Sequence, residues 1–126
     1  MEVLGLGVDL VEIERFRTKV SARFLTRVFA EEELEYVKTK KDPIPSLAVR
    51  FAAKEAVIKA FGWTLFGQRL KDIIIVKEDN KPPYIKLRGT AKNKSQTQGA
   101  VRILVSLSHT ESMAMAEVIV IGGEYR

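Results

Sequence analysis

One stretch constrains the fold more than any other. Residues 47–61, LAVRFAAKEAVIKAF, combine strong helix formers with a stop at Gly62. Ser46 stands where an N-cap is expected, after a segment KKDPIPS whose two prolines read as a connection. On a helical wheel Leu47, Phe51, Ile58 and Phe61 fall within one arc, so this helix needs an apolar surface to cover. Lys54 and Glu55 lie inside or at the edge of that arc, where a solvated charge is not expected.

The rest of the chain supplies strands. In VLGLGVDL, residues 3–10, Leu4, Leu6, Val8 and Leu10 occupy one face of a strand, and Gly5, Gly7 and Asp9 occupy the other. Glycine weakens strands, so a face stripped bare around one carboxylate is better explained by close approach of a ligand or of another backbone, with Asp9 displayed between them. IIIV (73–76) and YIKL (84–87) flank KEDNKPP and read as a hairpin. VRILVSL and MAMAEVIVI are two further strands, around Ser108, His109, Thr110, Glu111 and Ser112. RFLTRVFAEEELEYVKTK reads as two short helical pieces, the second opening on Glu31, Glu32 and Glu33, where acids suit a helix N-terminus. GTAKNKSQTQG, residues 89–99, is polar and aperiodic, a loop or a poorly marked helix. No repeat, low-complexity tract or linker interrupts the 126 residues, which suffice for one domain, 1–126, and are too few for two comfortable ones.

Composition removes several chemistries. Zero cysteines exclude disulfides, zinc-thiolate sites and thiol nucleophiles, and a single histidine, His109, excludes a histidine-cluster metal site. Any metal must therefore sit on carboxylates. No segment approaches the roughly 20 apolar residues of a membrane helix, and no secretory signal is visible, so the expected place is the cytoplasm without membrane attachment. Lys and Arg outnumber Asp and Glu by 21 to 16, which favours phosphates or an acidic partner. Nucleic acid is disfavoured, because the bases are spread among acids and lack interleaved stacking aromatics.

On the main helix Glu55 and Lys59 are one turn apart, as are Arg50 and Lys54. Surface ion pairing, worth about 0.2–0.5 kcal/mol per pair, accounts for such spacing without any function, and Asp9 has an equally plain alternative as an N-cap for the stretch from Leu10. The functional alternative joins them. Two carboxylates from different elements suit Mg2+, which takes one or two carboxylates plus substrate phosphates and water, and Arg50, Lys54 and Lys59 would neutralise phosphate charge. His109 is open to three readings: a hydrogen-bonded turn histidine, a phosphate contact or a general base. Gly5-Leu6-Gly7 lacks the third glycine opening a helix, so it is no dinucleotide fingerprint.

Taken together, GLGVDLVEIERF (5–16), RFAAKEAVIKAFG (50–62) and SLSHT (106–110) resemble the signature blocks of the holo-acyl-carrier-protein synthase family of 4'-phosphopantetheinyl transferases, in order and across essentially the whole chain. The resemblance implies an α+β subunit with a long central helix against an antiparallel sheet, forming a homotrimer with active sites between subunits. It implies Mg-dependent transfer of 4'-phosphopantetheine from coenzyme A to a serine of apo acyl carrier protein, releasing adenosine 3',5'-bisphosphate, a step that serves fatty acid biosynthesis and lipid metabolism. By matching position to position, Asp9 and Glu55 correspond to the metal-binding acids, and Asp9, Glu55 and Lys59 to the catalytic group. Glu55 would deprotonate the carrier serine, directly or through a water on the metal. Arg50, Lys54, Lys59, Gly62, Pro83, His109 and Thr110 would contact coenzyme A, and Arg15 and Arg23 an acidic helix of the carrier protein.

Two segments depart from the family pattern. Trp63, Thr64, Leu65 and Phe66 stand where a glycine-rich stretch is common, and Asn80, Lys81, Pro82, Pro83 replace Asn-Gly-Lys-Pro in the hairpin turn, which alters what Pro83 and its neighbours can do. The alternative from another class is a basic module that binds acidic helices or nucleic acid without catalysis. Placing carboxylates beside the bases argues against it.

Overall fold

The computed structural model describes residues 1–123. Its order is β1 (Glu2–Glu12), α1 (Ile13–Arg17), α2 (Ala22–Val28), α3 (Glu31–Val37), α4 (Ile44–Phe61), a 3-10 turn at Leu70–Asp72, β2 (Ile73–Val76), β3 (Tyr84–Leu87), α5 (Gly89–Thr97), β4 (Ala100–His109) and β5 (Met113–Gly122). The fold is α+β. One antiparallel sheet runs β1-β5-β4 with β5 in the middle, and β2 and β3 form a separate antiparallel hairpin.

The long helix is the centre of the molecule, and it differs from the expected one in two ways. It begins three residues early, with Pro43 at the N-cap position and Pro45 in the first turn, where a missing N–H costs nothing. Ser46 is therefore inside the helix and caps nothing; its hydroxyl accepts from Arg50 Nη1 at 2.6 Å. The helix is also buried nearly all round, with Ala48, Ala52, Ala53, Ala56 and Val57 sealed. Its open stripe is Phe51, Glu55 and Lys59, spaced by four. The expected apolar arc thus does not divide inside from outside.

The glycine face of β1 explains how the sheet lies so close to α4. A Cβ on Gly5 would sit 1.8 Å from the Ala60 carbonyl oxygen, and one on Gly7 would sit 2.0 Å from that of Ala56. The bare face is filled by helix backbone, which settles the choice between a ligand and a backbone neighbour. Ala116, Val118 and Val120 of β5 complete this layer and are fully buried. Leu6, Val8 and Leu10 consequently point away from the helix and are exposed.

A second cluster, built on Ile13, Phe16, Phe29, Leu47 and Ala48, seats the short helices against the first half of α4. Ser21 caps α2 by accepting from the Phe24 amide, and Glu33 reaches back to accept from the Ala30 amide at the start of α3. Most of the polar stretch 89–99 is helical, as α5, anchored by buried Ala91 and Ser95. Among the described residues no helix is long and apolar enough to cross a membrane.

Candidate active site

Asp9 lies within β1, paired with Ala116, so it caps no helix; α1 starts only at Ile13. Its side chain is 16% exposed and its Oδ1 accepts from Lys59 Nζ at 2.8 Å. The same ammonium donates to the Val8 carbonyl at 3.1 Å. Glu55 stands one helical turn before Lys59 on the open stripe of α4, and with Asp9 it lines one cleft of about 640 Å³, together with Leu10, Glu12, Arg15, Lys19 and Phe51. Burial raises the Glu55 carboxyl above its ordinary value, and the negative Asp9 raises it further, against the opposing pull of Lys59 and Lys19.

Two carboxylates that repel one another in a half-buried cleft are a donor set for a hard dication, which removes the repulsion and takes its remaining ligands from water and phosphate. The residues fit Mg2+. Among the described residues no cluster of three or more acids and histidines forms, so the protein would supply two donors and leave the others open. Arg15 borders this cleft, and Arg23 lines an adjoining hollow with Lys19, Phe24 and Arg27. The expected carrier-facing arginines therefore form a basic margin continuous with the acids through Lys19.

Arg50 and His109 meet elsewhere. They line a second hollow of about 350 Å³ with Tyr36, Lys40, Asp42, Ser46, Lys77 and Ser108, and no residue is common to the two clefts. The Arg50 guanidinium stacks over the Tyr36 ring at 4.6 Å, and its buried Nε has no acceptor among the described residues. Burial holds its pKa below the usual arginine value, opposed by Glu33 and Tyr36. A desolvated guanidinium with a spare donor, flanked by Lys40 and Lys77, suits an anion. Tyr36, Lys40 and Lys77 were not singled out in the sequence, because Lys77 joins the Tyr36–Lys40 pair and Arg50 only through the fold.

Lys54 is the clear correction. Expected to contact coenzyme A, it is sealed in the core, and its three N–H bonds go to Glu33 Oε1 at 2.7 Å, the Leu70 carbonyl at 3.0 Å and the Ile73 carbonyl at 2.5 Å. No donor is left for a ligand. Burial pulls its pKa down to about 8, with Glu33 holding it from falling further. Glu33 Oε2 accepts from the Ile75 amide, so the pair ties α3, α4 and β2 together.

The remaining residues are placed as follows. The Thr110 hydroxyl accepts from the Ser112 and Met113 amides and so closes the β4–β5 turn, and His109 Nδ1 lies 3.2 Å from the Thr110 carbonyl. Gly62 terminates α4 with φ +71° and open space around its Cα. Gly62 and Pro83 border neither cleft. Trp63, in place of glycine, stacks on Phe61 with centroids 4.2 Å apart and donates to Gln98, whereas Leu65 and Phe66 are exposed.

The profile of the 4'-phosphopantetheinyl transferase superfamily matches residues 5–115. A holo-[acyl-carrier-protein] synthase of Treponema denticola is 45% identical, over 95% of this chain and 99% of its own. A Plasmodium yoelii acyl carrier protein synthase solved with ADP bound superimposes with a TM-score of 0.89 at 26% identity, over 98% of each chain. The Helicobacter pylori holo-[acyl-carrier-protein] synthase in complex with coenzyme A gives 0.77 at 31% identity, over 92% of this chain and 99% of its own.

Proposed function

Because the chain belongs to the holo-acyl-carrier-protein synthase family of 4'-phosphopantetheinyl transferases, an enzyme family, we propose that it moves the 4'-phosphopantetheine arm of coenzyme A onto a serine of apo acyl carrier protein in an Mg2+-dependent reaction. The observation that carries this reading is the sharing of one cleft by Asp9 and Glu55, with Lys59 paired to Asp9 at its side.

The chemistry asks little beyond position and charge. Asp9 and Glu55 would hold the ion, which supplies neutralisation of the pyrophosphate charge. Glu55, directly or through a water, accepts the proton of the carrier serine. The serine oxygen bonds to the β-phosphorus, the bridging P–O bond breaks, and its electron pair leaves with adenosine 3',5'-bisphosphate. Lys59 donates to the phosphate oxygens between which this exchange occurs. Arg15 and Arg23, at the rim, steer an acidic helix of the carrier toward the cleft.

Arg50 and His109 take a phosphate of coenzyme A. Their hollow shares no residue with the acid cleft, which is compatible with the arrangement the family resemblance implies, a homotrimer with each site completed between neighbouring copies. The protein works in the cytoplasm, in supply of carriers for fatty acid synthesis.

The test is thermal. Coenzyme A with Mg2+ together raises the melting temperature of the wild-type protein well beyond either alone. A rise with DNA or RNA and none with coenzyme A plus Mg2+ would favour a basic binding module instead.

A further inference from the structure

The Arg50–His109 hollow gathers positive charge that the fold does not neutralise. Arg50 is only 3% exposed, Lys40 and Lys77 line the same hollow, and none of the three forms an ion pair among the described residues. The acid on its lining, Asp42, is already engaged: its two oxygens accept from Arg17, and Oδ1 accepts from the Ile44 amide as well. The Lys77 ammonium donates to the carbonyls of Glu78 and Lys81, which hold it without cancelling its charge.

An aromatic ring sets how the Arg50 guanidinium stands. Nη1 donates to the Ser46 hydroxyl at 2.6 Å, one turn earlier on α4, and this fixes one end of the group. One such bond leaves the plane free to swing about it. The Tyr36 ring removes that freedom, because the guanidinium carbon lies over it at 4.6 Å from the centroid, within the range of a cation–π contact. Tyr36 stands on the last turn of α3, half-buried and packed against the second core cluster, so the core fixes the surface it offers. The Lys40 ammonium also reaches this ring, at 5.1 Å, but Lys40 is exposed on a long stem and can leave it. Arg50, being buried, cannot.

We propose that Tyr36 is a positioning residue for coenzyme A, whose ring holds the Arg50 guanidinium in the orientation that meets a phosphate. The proposal rests on the coenzyme A reading of this hollow given above. A guanidinium fixed beforehand gives up less freedom when the anion arrives, so the ring contributes to affinity without touching the ligand. The contact belongs to the ring, and phenylalanine should serve as well as tyrosine.

Steady-state kinetics of carrier modification on Tyr36→Met, Tyr36→Phe, Arg50→Met and the double variant, each folded by circular dichroism, tests this. Tyr36→Met fills the space without a ring; it raises KM for coenzyme A about fivefold or more and leaves kcat within about twofold, while Tyr36→Phe stays within about twofold of the wild type in both. In the Arg50→Met background the Tyr36→Met change adds less than about twofold to KM, since no guanidinium remains to be oriented. A structural role alone would impair both backgrounds by the same factor, and that result overturns the proposal. So does a smaller rise of KM in Tyr36→Met, or a Tyr36→Phe as impaired as Tyr36→Met. Should Tyr36→Met fail to fold, Arg50→Lys tests the same claim: it keeps the charge and loses the planar group, so its KM rises about fivefold or more, and a smaller rise overturns the proposal. An unchanged KM in Arg50→Met removes coenzyme A from this hollow and takes the proposal with it. A raised KM in Arg50→Met beside an unchanged one in Tyr36→Met leaves that reading standing and overturns the role of Tyr36 alone.

Discussion

Replacing Gly7 by alanine tests the link between the packing of β1 and the chemistry. The added Cβ would lie 2.0 Å from the Ala56 carbonyl oxygen and 2.9 Å from the Ala60 amide nitrogen, both helix backbone, whereas real Cβ atoms essentially never come under 3.0 Å. Neither atom can rotate away, so β1 must lift from α4 by about 1 Å, against its ladder with β5 through the Gly7–Val118 pair. Overpacking of this kind costs about 1–3 kcal/mol, offset by the roughly 0.5–1 kcal/mol that alanine gains over glycine in a strand. A net loss of about 1–2 kcal/mol lowers the melting temperature by about 3–8 °C for a chain of this size. Asp9 is two residues further on and rides with the strand, while Glu55 stays with the helix. A shift of about 1 Å between catalytic groups can cost about 100-fold in turnover, so activity falls far more than stability. Gly99→Ala is the control: with φ +84° and nothing within 4 Å, it costs about 1 kcal/mol in backbone strain and leaves turnover intact. Wild-type melting and wild-type turnover in Gly7→Ala, measured by scanning calorimetry and carrier modification, would refute the packing argument.

Burial, and after it the negative Asp9, raises the Glu55 carboxyl above its ordinary value in the metal-free protein. Because its folded value is raised, its contribution favours folding below the unfolded value and is lost as pH rises through the folded one. Carboxyl carbon NMR should find Asp9→Asn moving this titration downward, since a repelling charge is removed; an unchanged titration contradicts their proximity. Lys54→Met leaves the Glu33 carboxylate buried without its counter-charge and two carbonyls without a donor, at a cost of about 3–5 kcal/mol by urea unfolding. A loss under about 1 kcal/mol would show that the pair is not sealed in solution. Arg50→Met is expected to raise KM for coenzyme A about tenfold or more with little change in the melting temperature, and an unchanged KM would remove Arg50 from the coenzyme A site.

The elements were legible where a pattern is local. The central helix announced itself through its composition, the 73–87 hairpin through its turn residues, and α3 through the three glutamates that open it. The start of α4 was hidden because Pro43 and Pro45 look like a break and are harmless only in a first turn. Period-two alternation identified the two faces of β1 and could not say which was inside; the glycine face is the buried one, because helix backbone replaces the missing side chains. Lys54 and Glu55 are neighbours with opposite fates. Only the arrival of Glu33, 21 residues earlier in the chain, decides that the lysine is structural and the glutamate free.

Asp9 and Glu55 remain the core of the account. Incubating apo acyl carrier protein with coenzyme A and Mg2+, then weighing the carrier by mass spectrometry, puts the wild type beside Asp9→Asn and Glu55→Gln most directly. The wild type should add one phosphopantetheinyl group to the carrier, and both variants, folded by circular dichroism, should add essentially none. Full modification by both variants, or no modification by the wild type, would contradict the assignment of the cleft.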